Sequence, residues 1–94
     1  MPAAMQFNLS GAGEQEGPSV GVAAGEKVRV RISSMSGLPE LVLVIRANGI
    51  DSAIPIDNSV GFLSFAGMAG DGVLVRMHGY AESDAVTGII EADL

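Results

Sequence analysis

The feature that most constrains the fold is a short apolar run at residues 41–45, Leu-Val-Leu-Val-Ile. Three of its five residues are β-branched and no polar residue interrupts it, so it predicts a central strand buried on both faces. The run is far shorter than the roughly 20 apolar residues of a membrane helix, and we expect a soluble protein without a membrane partner. A chain of 94 residues leaves room for one domain, residues 1–94, around this strand.

The composition limits the chemistry that the chain can perform. Eleven acidic residues against five basic ones give a net charge of −6, which argues against a nucleic-acid partner because phosphate binding draws on Lys and Arg. The absence of cysteine and the presence of a single histidine, His78, exclude a thiolate zinc site and a pair of histidine ligands. We therefore expect no enzyme activity, no catalytic residue, no metal and no cofactor. The lack of a secretory signal pattern favours a cytoplasmic location.

Local patterns predict several strands and turns. Polar and apolar residues alternate at residues 5–10 and 73–78, which is typical of strands with one buried face. Asn48-Gly49 predicts a hairpin, and Pro55 in the return strand places that strand at a sheet edge because proline cannot donate to a ladder. Residues 11–25 contain five glycines and predict a mobile loop.

Two segments predict helices. Asp57-Asn58-Ser59 supplies N-cap residues before the apolar residues of 60–68, and the apolar residues of 85–94 recur at helical spacing after Ser83 or Asp84. Together with the strands they predict an α+β fold: a small open-faced sandwich with one mainly antiparallel sheet and helices packed on one side.

Residues 27–32 fit two structures. Their strict alternation favours a strand, which would place Lys27, Arg29 and Arg31 on one face, whereas Val28, Ile32 and Met35 would also line a helix. The three basic residues are candidates for binding an acidic partner or phosphate, or form an ordinary solvated strand face.

The second half of the chain resembles HPr, the histidine-containing phosphocarrier of the bacterial sugar phosphotransferase system. The resemblance covers residues 38–94 and depends on the order of Asn48-Gly49, Ser59-Val60, Gly67, the strand at 72–77 and the segment Gly-Tyr-Ala-Glu-Ser-Asp-Ala-Val at 79–86. It implies that residues 26–36 are helical. Ala23 occupies the family's histidine position and Gly25 its arginine position, so the resemblance implies a divergent module that has lost the phosphohistidine relay.

The resemblance also implies site residues. Ser59 matches a serine that is phosphorylated for regulation in some bacteria, although an N-cap role explains it better. Val60 matches a large apolar residue of the family's docking surface, whereas Gly61 and Ser64 are smaller than the residues usual there, and Val60, Phe62 and Leu63 are the candidates for binding a partner. We therefore expect a non-catalytic, HPr-like protein-binding or regulatory module. The alternative is a small structural or assembly subunit that self-associates through an apolar surface, so that the partner is either another protein or copies of the chain.

Overall fold

The computed structural model describes residues 3–23, 26–56, 61–66 and 70–92. These ranges contain nine strands and no helix, and hence no helix that is long and apolar enough to cross a membrane. The strands are β1 (Ala3–Ser10), β2 (Gly13–Glu16), β3 (Val20–Val22), β4 (Lys27–Ser36), β5 (Glu40–Ala47), β6 (Ile50–Ile56), β7 (Gly61–Ala66), β8 (Gly70–Gly79) and β9 (Ala85–Ala92).

The strands form two antiparallel sheets that pack face to face. Sheet A has the order β1-β9-β4-β7, and sheet B has the order β2-β8-β5-β6. Strand β3 lies on the same side of β8 as β2 and pairs with the first part of β8. Because side chains alternate between the two faces of a strand, each sheet directs every second residue into the space between the sheets. The largest side chains that are almost wholly buried there are Leu43, Met77, Ile90, Val30, Val73, Val75 and Val86.

The prediction of an α+β sandwich with packed helices is wrong. Residues 61–66 and 85–92, both predicted as helical, are strands of sheet A. In β9 the buried residues alternate strictly with half-buried ones, so Val86 and Ile90 satisfy a period of two as well as a helical spacing. Pairing with β1 on one side and β4 on the other gives the backbone of β9 its hydrogen bonds.

Gly88 shows why the strand is preferred in β9. A Cβ atom at this position would lie 2.6 Å from Cζ of Phe7 and would also collide with the carbonyl oxygen of Arg31. Glycine in a helix interior costs about 1 kcal/mol relative to alanine. In the sheet the same glycine makes room for the buried ring of Phe7, so the residue that weakens the helix is required by the strand.

Strand β4 settles the ambiguity at residues 27–32. It pairs with β9 on one side and β7 on the other, and Val28, Val30 and Ile32 point into the core. The helix that the HPr resemblance requires at residues 26–36 is absent. The HPr-like fold and the link to the phosphotransferase system are therefore wrong.

The turns that position the strands agree with the local sequence signals. Asn48 and Gly49 join β5 to β6 with φ angles of 53° and 76°, the left-handed conformation that a type I′ hairpin requires at both central residues. Pro55 lies in β6, which is an edge strand as predicted. Within the segment expected to be a mobile loop, the structure contains β2 and β3, and Val20 and Val22 are buried.

Candidate functional site

The outer face of sheet A carries three of the five basic residues of the chain. Lys27, Arg29 and Arg31 point away from the core, as the alternation predicts, and we call them the basic stripe. Lys27 and Arg31 are exposed, and neither has an ion-pair partner within the described ranges. Arg29 is half-buried, with Nη2 3.5 Å from Oε2 of Glu91, and its buried Nε has no hydrogen-bond partner. The stripe is thus a positive surface that the protein itself compensates only weakly.

The residues predicted to bind a partner fall in two groups. Ser59 and Val60 lie outside the described residues. Phe62 and Leu63 belong to strand β7 and not to the predicted helix, and they are in register with Arg31 and Val30 of β4. Their role in binding a partner stays a prediction.

The outer face of sheet B carries the other two arginines in a closed network. Arg76 Nη2 lies 2.6 Å from Oε2 of Glu16 and 3.3 Å from Oδ2 of Asp51. Arg46 Nε lies 2.8 Å from Oδ1 of Asp51, and its Nη2 lies 3.3 Å from Oε2 of Glu16. We call these four residues the charge quartet. Each arginine contacts both carboxylates, so the quartet is electrically neutral as a unit.

The quartet changes the titration of its members. The hydrogen bond from Arg76 is the largest cause that holds the pKa of Glu16 below its usual value, and the one from Arg46 does the same for the pKa of Asp51. The two arginines in turn have raised pKa values, because the same carboxylates stabilise their charged forms. All four groups remain charged over the physiological pH range.

The quartet also spans an apolar part of the outer face. Arg46 is in register with Asp51, whereas Arg76 is in register with Glu16 four residues further along the strands. The contacts between these two pairs cross the intervening row, which contains Val44 and Leu74. These two residues are 0% and 2% exposed although they face away from the inter-sheet core.

Beside the quartet lies a shallow depression next to a row of polar residues. Glu14, His78 and Glu40 are direct cross-strand neighbours on β2, β8 and β5. They line a cavity of about 160 Å³ together with Val42, Ala53 and Arg76. The Tyr80 hydroxyl donates a hydrogen bond to Oε1 of Glu40, which raises the pKa of Tyr80, and its ring lies edge-on to His78 with centroids 4.8 Å apart.

One end of the sandwich consists of loops fixed by a buried carboxylate, and we call residues 37–39 and 79–84 the braced end. Oδ2 of Asp84 accepts the backbone N–H of Tyr80 at 2.8 Å and that of Ala81 at 3.2 Å, and its carbonyl oxygen accepts the N–H of Gly11 at 2.8 Å. Gly37 has a φ of 76° and packs so closely on Asp84 that a Cβ would collide with the carboxylate. Three connections between strands therefore meet at one residue, Asp84: two at its carboxylate and one at its backbone carbonyl.

Two large side chains project from the braced end. Leu38 is 80% exposed and Tyr80 is 62% exposed. Leu38 lies in the turn between β4 and β5, and Tyr80 directly follows β8. The backbone of Tyr80, its ring and its hydroxyl each have a partner, so this exposed side chain is held in one position.

His78, Glu14 and Glu40 are the groups of the depression that could take part in acid–base chemistry. Within residues 3–23, 26–56, 61–66 and 70–92 no group of three histidine, aspartate or glutamate side chains is placed to hold a metal ion. His78 packs on Tyr80 and has a glutamate neighbour on each adjacent strand.

Sequence reasoning predicted only part of this surface. The basic stripe follows from alternation within one strand. The charge quartet draws its members from four strands, and no local pattern joins them. Asp84 was expected as a helix N-cap, and its buried position inside a loop cluster depends on the approach of Gly11 and Gly37. The exposed position of Tyr80 has only a weak signal in the sequence, a single tyrosine directly after the glycine that ends a strand.

The chain matches no protein-family model and no curated protein. Solved structures with a similar fold exist. PliG of Aeromonas hydrophila, described as a periplasmic lysozyme inhibitor of g-type lysozyme, has a TM-score of 0.60 and 17% identity over 98% of this chain and 84% of that one. A structure described under disulfide-linked pili of Bacillus endospore appendages has a TM-score of 0.57 and 10% identity, with the same coverages.

At these identities the likeness shows the fold alone, a two-sheet β structure, and neither neighbour is an HPr protein. The expectation of a cytoplasmic protein is contradicted by this comparison, because PliG is periplasmic. The expectation that the chain works with a protein partner agrees with both descriptions: one protein inhibits an enzyme and the other belongs to a pilus.

Proposed function

We propose that the chain is a protein-binding module that inhibits an enzyme by covering it and carries out no reaction itself. The observation that supports this proposal is the braced end, where Leu38 and Tyr80 stand exposed on loops that Asp84 fixes in place. Tyrosine is among the residues that most often contribute the binding energy of protein interfaces, and an exposed apolar side chain such as Leu38 adds contact area beside it.

The rigidity of the braced end matters for affinity. Association costs free energy for every side chain that must be immobilised, about 0.5–1.5 kcal/mol for one with many rotamers. Tyr80 is already held by Glu40, His78 and the Asp84 carboxylate, so little of this cost remains. A partner that buries the ring gains contact area without ordering a loop.

The class of partner to test first comes from the fold neighbour. PliG is described as an inhibitor of g-type lysozyme, so we propose a lysozyme as the enzyme. The net charge of −6 favours a partner with a basic surface, because opposite charge steers the encounter of the two proteins.

The test is a cell-wall lysis assay with g-type lysozyme in the presence of increasing amounts of the chain. We expect inhibition, and we expect Tyr80→Ala and Leu38→Ala each to weaken it about tenfold or more, which corresponds to at least about 1.4 kcal/mol. Ile50→Ala is the matched control, because Ile50 is 70% exposed but lies in the hairpin at the opposite end.

Two results would contradict the proposal. Lysis that is unchanged at a large excess of the folded chain would exclude g-type lysozyme as the target. Equal loss of inhibition in the Ile50 and Tyr80 variants would exclude the braced end as the binding site. Urea unfolding of each variant separates lost binding from lost folding.

Self-association through an apolar surface stays a second prediction. Among the described residues the exposed large hydrophobic side chains are divided between the two ends: Leu38 and Tyr80 at the braced end, Met5 and Ile50 toward the other. This division favours the braced end as an anchor for a partner over a continuous apolar face.

A further inference from the structure

The two outer faces of the sandwich carry opposite net charge. The described part of the outer face of sheet A holds the basic stripe and one compensating carboxylate, Glu91. On sheet B the charge quartet is neutral in itself, and Glu14 and Glu40 add two negative charges beside it. The stripe therefore leaves an excess of positive charge on one face, and the depression leaves an excess of negative charge on the opposite one.

From this complementarity we propose that copies of the chain stack head to tail, with the basic stripe of one copy on the Glu14–Glu40 row of the next. The occupant of each face is a second copy of this chain. The inference goes beyond the proposed function, because it concerns contacts between copies of the chain through the two broad faces; the two proposals share Glu40, which accepts the hydrogen bond of Tyr80.

The groups that would meet are the ones left without a full set of partners. Lys27 and Arg31 have no ion pair within the described ranges, and Arg29 reaches Glu91 only at 3.5 Å with its buried Nε unpaired. Glu14 is exposed, and Glu40 accepts one hydrogen bond, from Tyr80, with oxygen lone pairs to spare. Alternate residues on a strand repeat every 6.6–6.8 Å or so, so the stripe offers charges in a regular row.

The shape of the molecule suits this contact. Its extents are 37 × 26 × 18 Å, so the broad faces offer on the order of 900 Å² each, about the 800 Å² per partner of a standard interface. The stripe lies toward one end of sheet A and the Glu14–Glu40 row lies at the braced end of sheet B. Because the stripe and the row lie at opposite ends of the molecule, each copy would be rotated by about half a turn about the stacking axis relative to its neighbour.

Such a contact does not close on itself. The two complementary surfaces are on opposite sides of the molecule, so every added copy presents a fresh face of each kind. The expected product is a series of dimers, trimers and longer stacks whose size grows with concentration. Net repulsion between copies of charge −6 limits the growth, and added salt screens both this repulsion and the exposed ion pairs.

The test uses sedimentation velocity of the full chain and two double variants. Lys27→Glu with Arg31→Glu makes both faces acidic and the net charge more negative, whereas Glu14→Lys with Glu40→Lys makes both faces basic and the net charge less negative. We expect the wild-type chain to associate with rising concentration, each double variant alone to be monomeric, and an equal mixture of the two variants to associate again.

The two variants separate face pairing from net charge. If net repulsion alone governed association, the Glu14/Glu40 variant would associate more than the wild type, and that result would overturn the proposal. So would a wild-type chain that is monomeric at every concentration, or a mixture that does not associate although both variants are folded. A monomeric wild type that binds labelled polyglutamate would assign the stripe to an acidic protein partner and also overturn stacking. The lysis assay is read independently, so failure of one proposal leaves the other standing.

Discussion

The outer faces of sheets A and B use the same side chains in different ways. On sheet B two arginines each contact two carboxylates, and their side chains close over Val44 and Leu74. On sheet A the basic residues are in one strand, and among the described residues their one ion pair joins Arg29 to Glu91. The comparison teaches that position across the sheet, and not residue type, decides whether an arginine stabilises the fold or remains available to a partner. Four predictions test this difference.

The largest expected effect concerns the apolar residue beneath the quartet. Val44→Ala should lower the free energy of unfolding by about 2 kcal/mol, because it removes buried methyl groups and leaves a gap. Ile89→Ala, on the half-buried outer face of sheet A, should cost less than about 1 kcal/mol since water already reaches that side chain. Urea denaturation measures both. Equal losses would mean that the quartet does not seal the outer face of sheet B.

The second prediction compares the arginines themselves. Arg76→Met keeps most of the apolar stem but removes the charge, and we expect a loss of up to about 1 kcal/mol, the upper range for a solvent-exposed ion pair. Arg31→Met should change the free energy of unfolding by less than about 0.5 kcal/mol, because Arg31 has no described ion pair. A loss for Arg31→Met as large as that for Arg76→Met would contradict the comparison.

The third prediction is the pH dependence of that difference. The pKa of Glu16 is lowered in the folded chain, so its contribution to stability is fully present above the ordinary value of 4.5 and is lost as the pH falls through the lowered folded value. The gap in unfolding free energy between wild type and Arg76→Met should therefore shrink in acid. Urea denaturation at a series of pH values measures it. A gap that stayed constant from neutral to strongly acidic pH would show that the ion pairs contribute nothing.

The smallest effect is spectroscopic. The hydrogen bond to Glu40 raises the pKa of Tyr80 above 10.0, so Glu40→Gln should move it back toward that value. The chain has one tyrosine and no tryptophan, and the ultraviolet absorbance of tyrosinate therefore reports this group alone. Glu82→Gln, which removes an exposed carboxylate from the neighbouring loop, is the control and should leave the titration unchanged.

The sequence predicted the elements whose evidence is local. The alternation at residues 5–10 and 73–78 and the Asn48-Gly49 signal correspond to β1, β8 and the β5–β6 hairpin. The helix predictions are wrong at residues 61–66 and 85–92 because a few apolar residues can fit the period of a helix and the period of a strand alike. In β9 the glycine at position 88 hides the alternation, and only the packing of Phe7 explains it.

The candidate site was less predictable than the fold, for a physical reason. Placing Lys27, Arg29 and Arg31 on one face needs only the period of a strand. Placing Glu16 beside Arg46 needs the order and the register of the strands of sheet B, which depend on contacts far apart in sequence.

The pairing of β1 with β9 has a consequence for how the chain folds. Residues 3–10 lie against residues 85–92, and β9 also separates β1 from β4. Sheet A is therefore incomplete in its middle until residues 85–92 have formed β9, and β1 has no strand to pair with before then. Closing a loop of this length before any pairing is gained makes folding slow relative to helical proteins of the same size. During synthesis β1 would stay unpaired until residues 85–92 have emerged.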